Sequence, residues 1–370
     1  MRTSPSPVFI AVITQISLIA TQMTWAIGMR HDVPEERYFD FANNRITFAS
    51  PSRAPRFSSV AAIGVSHGDR FEVLGSGVLI SPSCVLTAAH VIMSPLENGE
   101  DFIPGLSVRF GESALVPIHQ SRVAEIAPRL PLEQLHPLLL SAATVSREAM
   151  AWAELHDLAV LALETPAEGI EPALLEHRPH QLLGRTLAFA GFGEGAVGTG
   201  TKRRHQRVSH RKRAAENVVD RVIPFRKAGA ALPFSGFALF DFDNGQERRN
   251  SLNHRSRAWA DLIGPGISSP RPLPMEGAAY PGDSGGPAFL LTELGWRVVG
   301  ISAYGTGFPQ DRGNPVAQYG DILVYTLLEA HSGWLQAFLP HNPPVASVEP
   351  VTPPASKVEP PAELLRPIAP

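Results

Sequence analysis

Residues 279–289 read AYPGDSGGPAF, and the reading of this stretch decides the fold. Gly282, Gly285 and Gly286 surround Ser284, so the backbone there can turn tightly and bring its own N–H groups close to whatever the serine touches. A serine hydroxyl is a poor nucleophile at neutral pH. It needs a base to take its proton, and the base needs a carboxylate to orient it. Two upstream segments supply these groups: residues 81–91 (SPSCVLTAAHV) carry His90, and residues 155–163 (LHDLAVLAL) carry Asp157. Each segment alone has a plainer explanation, as a histidine after a strand, an aspartate in a turn, or a glycine-rich bend. Together they make up nucleophile, base and orienting acid.

Outward from this stretch, residues 58–334 alternate short apolar runs with Gly- and Pro-containing turns. SSVAAIGV, LSVRFG, TLAFAGFG, WRVVGISAYG and DILVYTLL are each strand-length and rich in β-branched or aromatic residues. Many short strands with few helices predict an all-β chain. Helical character is confined to residues 131–150, interrupted by Pro137, and to a short amphipathic HSGWLQAFLP near the end of the body. With 44% hydrophobic and 18% charged residues the chain can bury a sizeable core, and 35 prolines in 370 residues disfavour long helices. A net charge of −3 gives no whole-molecule field to recruit nucleic acid or acidic lipid. The single cysteine, Cys84, excludes an intrachain disulfide and a cysteine-based zinc finger, and no metal or cofactor is expected.

The two ends differ from the body. Residues 1–26 have one charge, Arg2, then an apolar VFIAVITQISLIA and a Thr24-Trp25-Ala26 cleavage pattern, which reads as an export signal. The expected location is therefore secreted or periplasmic, with no stable membrane span after cleavage. Residues 340–370 hold ten prolines and too little packable surface to fold, as a linker or spacer would. Residues 27–57 form an N-terminal arm or propeptide.

Two further stretches invite functional readings that their context does not support. Gly193–Gly198 (GEGAVG) fits a dinucleotide-binding glycine pattern, but no apolar helix follows it, so a loop is expected. Residues 202–213 (KRRHQRVSHRKR) hold seven Lys or Arg without interleaved aromatics, so an exposed loop or strand edge is expected rather than a nucleic-acid surface.

TAAH at His90, HDLAVLAL at Asp157 and GDSGGP at Ser284 resemble the chymotrypsin-type (trypsin-like) serine proteases, in the family's order His, Asp, Ser. VVGISAYG and VYTLLEAHSGW support the likeness, which covers residues 58–339. The resemblance implies two antiparallel β-barrels, roughly 58–165 and 181–338, followed by a short C-terminal helix, with insertions at 95–150 and 202–270. It also implies a secreted endopeptidase acting on proteins or peptides through an acyl-enzyme. His90 would be the base, Asp157 its orienter and Ser284 the nucleophile, with the N–H groups of Gly282 and Ser284 as the oxyanion hole.

By the same resemblance Ala278 lies at the base of the specificity pocket, with Ala303, Tyr304 and Gly305 along one wall and Leu323 across it. With no acid at Ala278 and a leucine narrowing the slot, small or medium apolar residues are expected at the cleaved position. Family members are commonly switched on when a new N-terminal ammonium pairs with the aspartate before the nucleophile, here Asp283. Ile27, just after the signal-like segment, is the nearest counterpart of the usual Ile-Val-Gly-Gly start, with Ile46 another. The family's cysteines are missing: Val91 follows His90, and Gly75-Ser76-Gly77 stands where a paired cysteine is common. Two alternatives differ in class. A non-catalytic protease-like scaffold would be marked by loss of a triad member. An α/β-hydrolase esterase would need Ser before His, with alternating strands and helices.

Overall fold

A strand hydrophobic on both sides has to be covered on both sides, and a closed antiparallel sheet does this without leaving an edge. In the computed structural model this is how the apolar runs are used. The structure describes residues 27–46, 55–93, 102–131, 135, 154–177, 181–193, 195–198, 210–225, 234–253, 268–280, 282–306 and 318–339. The signal-like segment 1–26, the Pro-rich tail, nearly all of the Pro137-interrupted segment and residues 202–209 of the basic run lie outside them.

The described chain begins with β1 (Gly28–Arg30) and a helix over Glu35–Ala42. The first barrel follows, from β2 (Val60–His67), β3 (Arg70–Ser81), β4 (Cys84–Thr87), β5 (Leu106–Phe110), β6 (His119–Pro128) and β7 (Ala159–Leu163). Its order is β2-β3-β4-β7-β6-β5, and it closes because β5 pairs back onto β2. Gly68 takes the positive φ of 60° needed at the first position of the two-residue turn between β2 and β3. Val78, Val85, Leu86, Val108, Phe110, Val160 and Leu161 are all buried in this unit.

The second unit uses β8 (Thr186–Gly191), β10 (Arg213–Val218), β11 (Arg221–Phe225), β12 (Phe234–Asp241), β14 (Pro287–Thr292), β15 (Gly295–Thr306) and β16 (Ile322–Leu327). Their order is β10-β8-β14-β15-β16-β12-β11. The end strands β10 and β11 are separated in the chain only by Val219 and Asp220. One bent strand therefore pairs with β8 by its first half and with β12 by its second, and the sheet curls back on itself. The register shift at Ile223/Pro224 falls where proline has no N–H to give the ladder. A three-stranded sheet joins β1 to β9 (Ala196–Gly198) and β13 (Gly277–Ala278). After β16 the chain ends in a 3-10 turn, one α turn over Ser332–Leu335 and a second 3-10 turn. The two-barrel, all-β architecture with a short closing helix is thus the one observed. No helix among the described residues is long and apolar enough to cross a membrane.

Two readings of the sequence need correction. GEGAVG is not simply a loop, since Ala196–Gly198 is a strand lying parallel to β1. The basic run does not stay at the surface: its last two residues, Lys212 and Arg213, are buried. The N-terminal arm is also built into the fold. Tyr38 is fully buried, donates its hydroxyl to the Glu276 carbonyl at 2.8 Å and accepts from the Arg30 N–H at 2.9 Å.

A feature that the sequence did not announce is a buried acid cluster of Asp220, Asp241, Asp243 and Glu276 around the bend in the second sheet. Asp241 accepts from the Ser251 and Leu252 N–H groups, and Glu276 from Leu273 N–H at 2.8 Å, while Oδ1 of Asp243 has no partner among the described residues. Burial pushes all four carboxyls above their ordinary values, and for Asp243 the charges of Asp241 and Glu276 add to the effect. A group with a raised folded pKa stabilises fully below its unfolded value, and that contribution is lost as pH climbs toward the folded value. His331, pushed down to about 3 by burial first and then by His156 and Arg129, works in the opposite sense at acid pH. The clean test is therefore a difference. Asp243→Asn should gain thermal stability relative to the parent as pH rises from about 5 to about 9. A difference that does not vary with pH would contradict the burial of a protonated Asp243.

Candidate active site

The register of β4 on β7 brings the first two residues of interest together. Thr87 is paired with Ala159 in an antiparallel ladder, so continuing past its end brings Asp157 alongside the Ala89–Val91 turn that carries His90. Asp157 Oδ1 accepts the His90 backbone N–H at 2.8 Å, and Oδ2 accepts the ring Nδ1–H at 2.6 Å. Two bonds from one carboxylate fix both the position of His90 and the direction of its ring, leaving Nε2 as the acceptor. Asp157 is buried, whereas His90 keeps 31% of its side chain exposed. Burial alone would lower the imidazole pKa, but the Asp157 charge and hydrogen bond outweigh it, so His90 sits above its ordinary 6.5.

Ser284 comes from the other barrel, and Ser76 of β3 is what brings it across. The Ser76 N–H donates to the Ser284 carbonyl at 2.8 Å, and its hydroxyl donates to the Gly282 carbonyl at 2.9 Å. The same hydroxyl accepts the Phe192 N–H at 2.9 Å, and the Ser76 carbonyl accepts the Thr87 hydroxyl at 2.7 Å. Gly285, at φ 81°, passes so close that a Cβ there would stand 3.0 Å from Ala88 N, two residues before His90. From the opposite side, Gly285 N–H donates to Ser302 O and Ser302 N–H to Gly286 O, both at 2.8 Å.

Within this loop the amides divide into two groups. Those of Asp283, Gly285 and Gly286 are satisfied, by Tyr280 O, Ser302 O and Asp283 O. Those of Gly282 and Ser284 find no acceptor among the described residues. The Asp283 carboxyl points inward, accepting from Gly193 N–H at 3.1 Å and Tyr280 N–H at 3.2 Å. Burial pushes it up to about 7, against the pull of those two N–H groups and of Arg213. Ile27 is fully buried at the start of β1, whose next residue, Gly28, pairs with both Ala278 and Ala196.

The expected pocket residues are also neighbours. Ala278 and Leu323 are buried, and a Cβ on Gly305 would lie 3.7 Å from Ala279 O and 3.9 Å from a Leu323 methyl. β15 slips by one residue at Ser302/Tyr304, so Ala303 is the buried extra residue of a bulge. Tyr304 and Gly305 then fall opposite Val324 and Leu323. Two site residues were missed in the sequence. Ser76 was read only as the place of an absent cysteine. Glu154, buried beside Asp157, meets the Tyr304 hydroxyl at 3.1 Å, and burial holds it well above the usual carboxylate range. A carboxylate three residues before Asp157, on a helical turn, was the available signal.

Residues 75–301 match the family described as the trypsin-like peptidase domain, more than half of the chain. The chain belongs to the trypsin-like peptidase family. None of the curated proteins matches it. Among solved structures this peptidase is similar to neuropsin, a serine protease expressed in the limbic system of mouse brain. The identity is 18%, the TM-score 0.43, and the match covers 76% of this chain and 94% of that one.

Replacing Ser76 by alanine removes a buried hydroxyl and leaves both the Phe192 N–H and the Gly282 carbonyl of the peptidase without it. The expected loss is about 1–3 kcal/mol, read from urea unfolding. An unchanged unfolding midpoint would mean that water replaces the hydroxyl and that the two barrels do not depend on it.

Proposed function

We propose that this chain is a secreted serine endopeptidase that uses Ser284, His90 and Asp157 as nucleophile, base and orienter. The observation that carries the reading is the combination of a histidine fixed by two bonds from Asp157 with two acceptor-free N–H groups at Gly282 and Ser284. In the proposed reaction Nε2 of His90 takes the Ser284 hydroxyl proton as Oγ attacks the peptide carbonyl. The developing oxyanion accepts from the two free amides, each worth about 3–4 kcal/mol in such sites. His90 returns the proton to the leaving amine, and water then resolves the acyl-enzyme by the same proton path in reverse order. Secretion rests on the signal-like pattern of residues 1–26. The alternative of a non-catalytic scaffold has no observation in its favour, since all three groups are present.

Ser284→Ala should lose peptide hydrolysis by about a thousandfold or more while keeping its fold. Near-parental turnover would refute the assignment. The imidazole must be neutral to act as base, so the acid limb of activity should lie above 6.5, in the direction of the His90 shift. Asp157→Asn should remove that upward shift along with most of the activity.

The expected pocket positions, with no acid at Ala278 and with Leu323 opposite Gly305, support a preference for Ala, Val or Leu before the scissile bond, because Ala278 and Leu323 offer a buried cation no counter-charge. A peptide library measures this directly, and a strong preference for Arg or Lys would overturn the pocket assignment alone.

The proposal extends to activation. Cleavage after Ala26 would leave the Ile27 amine at the head of β1, as a counter-charge for buried Asp283. N-terminal sequencing of active protein should return Ile27; a start well downstream would mean that Asp283 takes another partner.

A further inference from the structure

Two sequence features that the proposed chemistry leaves unused, the glycine-rich segment after β8 and the end of the basic run, meet at one residue, Gly193. Gly191, Gly193 and Gly195 alternate along the chain, and two of them are crowded by charged groups. A Cβ on Gly191 would collide with the Asp283 carboxyl, and one on Gly195 would stand 2.6 Å from Arg213 Nη2 and 2.8 Å from its Cζ. Gly193 is held at both ends. Its N–H donates to Asp283 Oδ1 at 3.1 Å, and its carbonyl accepts from Arg213 Nη1 at 3.3 Å.

Arg213 is almost wholly buried, and a buried guanidinium is costly unless it is paired. One partner comes from the N-terminal arm. Glu35 Oε1 accepts from Nη2 at 2.6 Å and from Nε at 3.2 Å, and the guanidinium carbon lies 4.7 Å from the Phe39 ring centre. Glu35 and Phe39 both belong to the Glu35–Ala42 helix. Arg211 secures the same helix through Glu36 at 3.2 Å and lies 3.4 Å over Phe39. A continuous set of contacts therefore runs from the arm helix through Arg213 and Gly193 to Asp283, the residue between Gly282 and Ser284.

We propose that Arg213 is a positioning residue for the Ser284 loop, acting through Gly193, and that Glu35 makes docking of the N-terminal arm a condition for that loop's order. This deepens the peptidase reading and rests on it for its catalytic consequence. The guanidinium holds Gly193 by its carbonyl, and with the residue fixed on that side its N–H keeps its aim at Asp283. With Asp283 held, the Gly282 and Ser284 amides keep one direction. An arm that undocks withdraws the Glu35 carboxylate from the buried guanidinium and loosens the loop.

The test uses the purified chain with Arg213→Met, Arg213→Lys and Glu35→Gln, read by hydrogen exchange and by kcat and KM on one peptide substrate. Arg213→Met should speed exchange of the Gly282 and Ser284 amides by about tenfold and lower kcat by a similar factor, with KM changed less than about twofold. Arg213→Lys should fall between Met and the parent. If Arg213→Met does not fold, Glu35→Gln carries the test, because its side chain is 36% exposed, and it should show about a threefold effect in the same direction on both readouts. Parental loop exchange and kcat in a folded variant would overturn the proposal. So would exchange that rises equally in the strands of the first barrel, which marks a general loss of stability. Failure of the parent chain to cleave peptides or to take a fluorophosphonate on Ser284 would refute the peptidase reading instead, and loop exchange would still decide the role of Arg213.

Discussion

The Ser76 hydroxyl is the constraint on which the rest of this structure depends. It lies at the seam of the two barrels, buried from solvent, giving its proton to Gly282 O and taking one from Phe192 N–H. Its own backbone binds Ser284 O on one side and the Thr87 hydroxyl on the other. One small residue thereby ties the strand that ends at His90 to the loop that carries Ser284. The junction between a closed barrel and a separately curled sheet keeps its geometry only if such ties cross it, because each satisfies its own ladder and neither needs the other for backbone pairing.

Charge is handled differently on the two sides of this seam. On the first barrel the carboxylate and imidazole are paired directly, and the pair keeps a partly exposed ring ready to titrate. On the second, Asp283 is buried against two N–H groups, with Arg213 behind one of them, and its carboxyl is raised to about 7. Four further carboxyls are buried around the bend of the sheet. The second barrel thus stores much of its unfavourable electrostatics in buried carboxyls near the Ser284 loop and the bend of the sheet, where pH can act on them.

The sequence made the strands and the two-barrel architecture legible, and it singled out His90, Asp157 and Ser284 as the candidate site, because each of these rests on local signals. Alternating apolar runs mark strands, and glycines around a serine mark a tight loop. What was not legible depends on contacts far apart in the chain. Arg213 looked like part of an exposed basic run because Glu35, 178 positions away, cannot be seen beside it. Ser76 looked like a missing cysteine because its partners lie on β8 and in the Ser284 loop. Ala303 was read as one position in a wall, whereas the register of β15 against β16 makes it the extra residue of a bulge. The acid cluster left no local trace, since Asp220, Asp241, Asp243 and Glu276 meet only when the bent strand folds back.

The central claim is that this scaffold turns Ser284 into a nucleophile that carries an acyl group. The most direct measurement mixes the protein with an activated ester at acid pH, where deacylation is slow, and reads the intact mass and its fragments. The account predicts one acyl group per chain, located on Ser284, and its absence from His90→Ala. Turnover without any adduct, or an adduct on a residue other than Ser284, would contradict it.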